Sequence, residues 1–301
     1  TSLIASSAIA GTMDVTGSAS LTFAGQNNYD TGNGFTMGDS LTFSASGDVN
    51  DIGVTYSVEL DGDAAAGGGG VDNYSLAFDL GDAGSLTFAG HGGSGFMDSN
   101  DDVMPTAHEE PWDVVTGAEG LLIGGLAGNN MFTYDYAHES GIAVKVGYLQ
   151  SAAGQSAVSY TDYGVTYTGV EGLTVGYAVQ EDDGLATVVD DMTMYVKYVY
   201  GSITAGYQKS EGDSTTDSAD VETEGYGISY AISDEMSISY GSHTAETPNN
   251  SSDKDQEASA ISASYVAGGM TIKASIGTVD NIAGVDATDR DTYEIAMSFA
   301  F

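Results

Sequence analysis

The chain has 301 residues, 44 of them Asp or Glu and only 6 Lys or Arg, for a formal net charge of −38 at pH 7. So acidic a chain repels nucleic acid over most of its surface, and without cysteine it has neither disulfides nor thiolate chemistry. With 41% apolar residues regularly placed, the charge does not signal disorder.

The first ten residues, TSLIASSAIA, read as the end of a secretory signal that closes on the small-x-small site Ala8-Ile9-Ala10. A signal remnant, or otherwise a flexible terminus, is expected over 1–10, with one transmembrane β-barrel domain over 11–301. No apolar run reaches the roughly 20 residues of a membrane-spanning helix.

Beyond Gly11 the chain alternates with period two, the pattern of strands with one apolar and one polar face. Met13, Val15, Gly17, Ala19, Leu21 and Phe23 share a face of the first expected strand, Leu41, Phe43 and Ala45 of the second, and Ile52 to Leu60 in steps of two of the third. Tyr74, Leu76, Phe78 and Leu80 mark the fourth, and Leu86 and Phe88 the fifth. After a long interruption come strands at Phe132–Tyr134–Tyr136, Ile142–Val144–Val146–Tyr148, Tyr163–Val165–Tyr167 and Leu173–Val175–Tyr177–Val179. Then follow Met192 to Tyr200 in steps of two, Ile203–Ala205–Tyr207, Tyr226–Ile228–Tyr230–Ile232 and Met236–Ile238–Tyr240. Ile261–Ala263–Tyr265, Met270–Ile272–Ala274–Ile276 and the terminal Tyr293–Ile295–Met297–Phe299–Phe301 complete sixteen.

The links between them alternate in length. Short ones are expected at 47–51, 81–84, 138–141, 168–172, 200–201, 233–235 and 267–269. Long acidic ones are expected at 25–39, 61–72, 91–130, 150–159, 181–191, 209–223, 243–256 and 278–291. A soluble sandwich of sixteen strands would need a very large core, whereas here the second face is mostly Ser, Thr, Gly, Asp and Glu. An even strand number, apolar-out and polar-in alternation, and short turns at one rim with long loops at the other are the marks of a transmembrane barrel. Closure also removes the sheet edges that lipid cannot satisfy. The predicted fold is therefore all-β, a sixteen-stranded antiparallel transmembrane barrel.

By these features the chain resembles the bacterial general diffusion porins of the sixteen-stranded, trimeric kind found in alphaproteobacteria. The resemblance covers 11–301 and rests on strand number, loop alternation, the long third loop and the terminal aromatic strand. It implies an outer-membrane location, a homotrimer, outer-membrane lipid as surroundings, and small hydrophilic solutes and ions as cargo. It also implies that Tyr293, Phe299 and Phe301 form the signal read by the outer-membrane assembly machinery.

The same resemblance implies that link 91–130 folds into the lumen and narrows it. The acids available for that constriction are Asp98, Asp101, Asp102, Glu109, Glu110, Asp113 and Glu119, with Pro105, Pro111 and the single Trp112 to stiffen it. Strand parity places Lys145, Lys197 and Lys273 in the lumen, and likewise Asp14, Glu59, Asp61, Asp79 and Glu294. The family sets loop acids against a cluster of Arg and Lys on the facing wall, yet here neither residue occurs before Lys145. A lumen so short of cations predicts a preference for cations. Outward tyrosines gather on the sixth to thirteenth strands, as on a lipid-facing wall, and small outward residues on the first five are the expected subunit contact.

Enzymatic function has little support. HEEPW at 108–112 is not the H-E-x-x-H zinc pattern, and AAAGGGG at 64–70 lacks the lysine of a phosphate loop. No resident cofactor is expected; SNDDVM and EGDSTTDSAD leave calcium in the acidic loops open without matching the twelve-residue calcium loop. A substrate-specific outer-membrane channel and a secreted adhesive or surface-layer protein are the alternatives.

Overall fold

The computed structural model describes residues 11–27, 32–62, 70–101, 103–113, 115, 117–151, 159–182, 188–214, 220–246 and 254–301. The expected signal remnant at 1–10, Asp102, most of the 64–70 motif and residues 215–219 of the 211–220 motif lie outside the described residues. The chain begins with β1 Thr12–Gln26, β2 Phe35–Val49, β3 Ile52–Leu60, β4 Val71–Asp79 and β5 Ser85–His91, followed by the two-residue pair β6 Gly93–Ser94 and β7 Ala127–Gly128. Next come β8 Met131–Ala137, β9 Ile142–Leu149, β10 Tyr160–Tyr167, β11 Leu173–Asp182 and β12 Val188–Tyr200. The last six are β13 Ile203–Ser214, β14 Val221–Ala231, β15 Met236–Glu246, β16 Gln256–Ala267, β17 Met270–Asp280 and β18 Arg290–Ala300.

All but β6 and β7 form one closed barrel of sixteen strands in sequence order, and β1 returns to pair with β18. At this seam Ala19 stands opposite Phe299, Leu21 opposite Met297 and Phe23 opposite Ile295. Phe301 finishes the seam with two reciprocal main-chain bonds to Gly17, of 2.8 and 3.0 Å. The start of β1, where Thr12 pairs with Ser46, and the end of β18 both lie toward the short-link rim.

Most apolar residues of the strands point out. Ile261 is 56% exposed and Ile276 62%, an arrangement that hydrocarbon favours and water does not. Among the described residues no helix is long and apolar enough to cross a membrane. The short link between β2 and β3 is a two-residue hairpin with Asn50 and Asp51 both at positive φ, 53° and 65°. That geometry suits the right-handed twist of paired strands, and Asn and Asp adopt it more readily than most residues.

Several strands outrun the apolar pattern at the long-link rim. β11 continues to Asp182, β13 to Ser214 and β15 to Glu246, each inside an expected link, and β2 starts early at Phe35. Ladder bonds need only backbone, so pairing persists where the outward residues turn polar above the lipid. There, on the outer face, Lys209 lies 2.7 Å from Glu211 and 2.9 Å from Glu222, and the Tyr207 hydroxyl donates to Glu224 at 2.9 Å.

Candidate pore constriction

Between β5 and β8 the chain leaves the barrel wall and packs against its inner face. The β6–β7 pair forms the neck of this inserted segment, with Gly93 opposite Gly128 and Ser94 opposite Ala127. Just past the neck, Met97 donates its N–H to Asp162 of β10 at 2.9 Å. Gln208 of β13 then donates to the Asn100 carbonyl at 2.9 Å, and Ser239 of β15 accepts the Ala107 N–H at 2.8 Å. Thr223 of β14 donates to the Leu121 carbonyl, and His243 of β15 lies 3.1 Å from that of Gly120. Gln256 of β16 grips Glu119 at both backbone groups, each bond 2.9 Å, and Gln180 of β11 accepts the Gly125 N–H at 3.1 Å. Wall side chains thus satisfy the backbone of a segment that has no ladder of its own beyond the two-residue neck.

Glycines let the segment approach. Gly206, Gly227 and Gly241 face inward between exposed outward residues, and the rings of Pro105 and Pro111 lie over them. A Cβ at Gly206 would stand 2.6 Å from Pro105 Cδ, and one at Gly227 2.8 Å from the Pro105 carbonyl oxygen. Two small apolar clusters close the contact, Met104, Trp112, Leu121 and Tyr195 in one, and Val115, Ala258, Val279 and Ile282 in the other. The anchored wall therefore runs from β10 to β17. β1 to β4 present an inner face of hydroxyls and acids instead, with Ser44 bonded to Ser57 at 3.1 Å and Glu59 accepting from Ser40 and Asn73.

The described constriction acids fall at three places along the segment. Glu109, Glu110 and Asp113 come together, with carboxylate oxygens within 4.8 Å of one another. Asp113 accepts the Glu110 N–H at 3.1 Å, and Glu110 is buried, not projected into the passage, because Pro111 and Trp112 draw that turn against the wall. Asp98 sits in a helical turn at the neck, where it accepts from Ser94 at 2.5 Å, and Asp101 follows it, exposed. Glu119 lies farther along, at the Gln256 clamp.

Lys145 faces inward 4.0 Å from Asp135 of β8 and shares with Asp79, Asp135 and Phe96 a cavity of ≈ 870 Å³ near the short-link rim. Asp79 also accepts the Gly81 N–H at 2.9 Å, which ties it to the turn. Lys197 and Lys273 occupy inward positions on β12 and β17, and among the described residues neither is in an ion pair. Asp14 lies opposite Ser44 toward the short-link rim, and Asp61 directly follows β3 at the other. Glu294 of β18 lies 2.8 Å from His108 of the inserted segment. At the seam Tyr293 packs outward against Phe23 with tilted rings, centres 5.8 Å apart, Phe299 points out farther along β18, and Phe301 is 75% exposed.

Sequence reasoning missed Asp162, Asp135, and the glutamines 180, 208 and 256. Their inward parity was readable, but nothing local distinguished a side chain that holds the inserted segment from one that faces water. The inward glycines were a usable signal, since several fall on one stretch of wall.

A model of the Gram-negative porin family matches residues 1–301. Among solved structures, the anion-selective porin from Comamonas acidovorans superposes with a TM-score of 0.71 at 14% identity, covering 97% of this chain and 100% of that one. The trimer form of OmpT, an outer membrane protein of Vibrio cholerae, gives 0.68 at 16% identity over 97% and 100%. A mutant of Rh. blastica porin gives 0.71 at 12% identity over 96% and 100%. At these identities the structures speak for the fold alone. No curated protein matches the sequence.

Proposed function

Since the chain belongs to the Gram-negative porin family and so forms a channel of the bacterial outer membrane, we propose that it is a passive, cation-preferring route for small hydrophilic solutes. The family is one of diffusion channels, not of enzymes, and it sets aside the secreted adhesive reading. The observation that carries the sign is the charge on the inner wall. Asp14, Glu59, Asp79, Asp135 and Glu294 face inward together with Glu109 and Asp113 of the inserted segment. Against them stand Lys145, already beside Asp135, Lys197, Lys273 and, at the start of β18, Arg290. A lining of one sign concentrates the opposite ion. One protein of the same fold is an anion-selective porin, so the barrel alone does not set the sign; the lining does.

The test is the reversal potential of single channels in a planar bilayer under a KCl gradient, with EDTA present. Wild type is expected on the cation side, and Glu59→Gln, Glu109→Gln, Asp113→Asn and Glu294→Gln combined should move the potential toward zero. An anion-selective wild type would overturn the proposal.

The same reading makes the chain a homotrimer, as one structural neighbour is in its trimer form. Small outward residues on β1 and β2, Gly17, Ala19 and Ala45, allow close approach, while the outward tyrosines of β8 to β15 suit a lipid interface. This reading also makes the acidic link 61–72 a latch onto a neighbouring subunit, though that link lies mostly outside the described residues. Terminal Tyr293, Phe299 and Phe301 are read as the address for the assembly machinery.

A further inference from the structure

We propose that His108, Glu109 and Glu294 form a site for a borderline divalent cation of the Zn²⁺ type, which clamps the inserted segment to the last strand. The His108 side chain is 2% exposed; its Nδ1 lies 3.3 Å from Glu109 Oε1 and its Nε2 2.8 Å from Glu294 Oε1. Separations of that size normally belong to aligned hydrogen bonds, yet neither ring nitrogen makes a hydrogen bond. One carboxylate stands at each ring nitrogen, so a buried imidazole without an aligned partner keeps a nitrogen lone pair for a cation that acidic oxygens flank.

One ligand atom from each residue lies within 4.8 Å of the others. Ligands about 2.1 Å from a tetrahedral Zn²⁺ stand roughly 3.4 Å apart, so a small closure completes the site. One ring nitrogen takes the ion, and the other keeps its proton to bond a carboxylate oxygen, as metal-bound imidazoles do.

The donor set selects the ion. Imidazole with carboxylate suits Zn²⁺ and its neighbours, whereas Ca²⁺ and Mg²⁺ take oxygen only. Glu110 and Asp113, grouped with Glu109, add negative field but no nitrogen. The Glu109 side chain, 42% exposed, leaves a way in from the lumen. His108-Glu109 has no second histidine to make a motif; the third ligand comes from β18, which only the barrel brings near.

The experiment uses purified, folded protein stripped with EDTA and titrated with ZnCl₂ by calorimetry. Fluorescence of the single tryptophan, Trp112, is the second readout. One Zn²⁺ per chain is expected, with affinity reduced at least tenfold in His108→Asn and in Glu294→Gln. His138→Asn, at an exposed short link, should bind as wild type does. Glu294→Gln preserves shape and carries the test if His108→Asn does not fold. Equal Zn²⁺ affinity in wild type and either of these two variants overturns the proposal, as does Ca²⁺ binding as tightly as Zn²⁺. Binding is read without transport, so failure here is distinct from failure of the channel reading.

Discussion

Asp162 of β10 accepts the main-chain N–H of Met97 at 2.9 Å, so a fully buried wall carboxylate holds the first turn of the inserted segment. Hydrogen bonds to charged groups contribute about 1.5–3 kcal/mol. Asp162→Ala should therefore speed amide exchange at Met97 by about 10- to 100-fold on the same scale, and leave the ladder amides of β13 as they are. Unchanged exchange at Met97 would show that the segment is held elsewhere.

At Gly227 the backbone of the segment lies against the wall. A side chain there meets the Pro105 carbonyl oxygen at 2.8 Å, a backbone atom that cannot rotate aside. Gly227→Val is expected to shift the segment, at a cost of about 1–3 kcal/mol for overpacking. Single-channel conductance should change while the far-ultraviolet circular dichroism of the barrel does not. Wild-type conductance would mean that this stretch does not bound the passage.

Lys197 and Lys273 oppose the proposed cation preference from inward positions with no carboxylate partner among the described residues. Replacing both by Gln should move the reversal potential further to the cation side. The change should fade in 1 M salt, where screening shortens to about 3 Å. A shift toward anions would contradict the inward placement.

Phe301 offers a separation of pairing from recognition. Its backbone closes the seam on Gly17, while its ring is 75% exposed and packs little. Phe301→Ala keeps both seam bonds, so stability of the refolded protein should change by no more than about 1 kcal/mol, as for an exposed position. Yield in the outer membrane is expected to fall severalfold. Normal yield would remove the terminal ring from the assembly signal.

Strand existence was legible almost everywhere, strand ends less so. Ile261 and Tyr265 announce β16, but nothing apolar announces Gln256, where it begins. Lipid imposes period two only across its own thickness, and beyond it the backbone pairs without leaving a hydropathic trace. Inward placement of Lys145 and Glu294 followed from the same parity. The neutral-looking Gln208 and Gln256 carry as much of the segment's anchoring as any acid, and no composition rule marks them.

Alternation is set by covalent geometry, since successive side chains on a strand point to opposite faces, and hydrocarbon acts as a uniform solvent on the outer face of every strand within the membrane. Strand number, barrel closure and the acidity of the lining were therefore determined by the sequence alone. Which wall the inserted segment lies on, the burial of Glu110, and the meeting of His108 with Glu294 were decided only by tertiary structure. Those contacts join residues far apart in the chain, and their energy comes from a register of wall strands that no local pattern encodes.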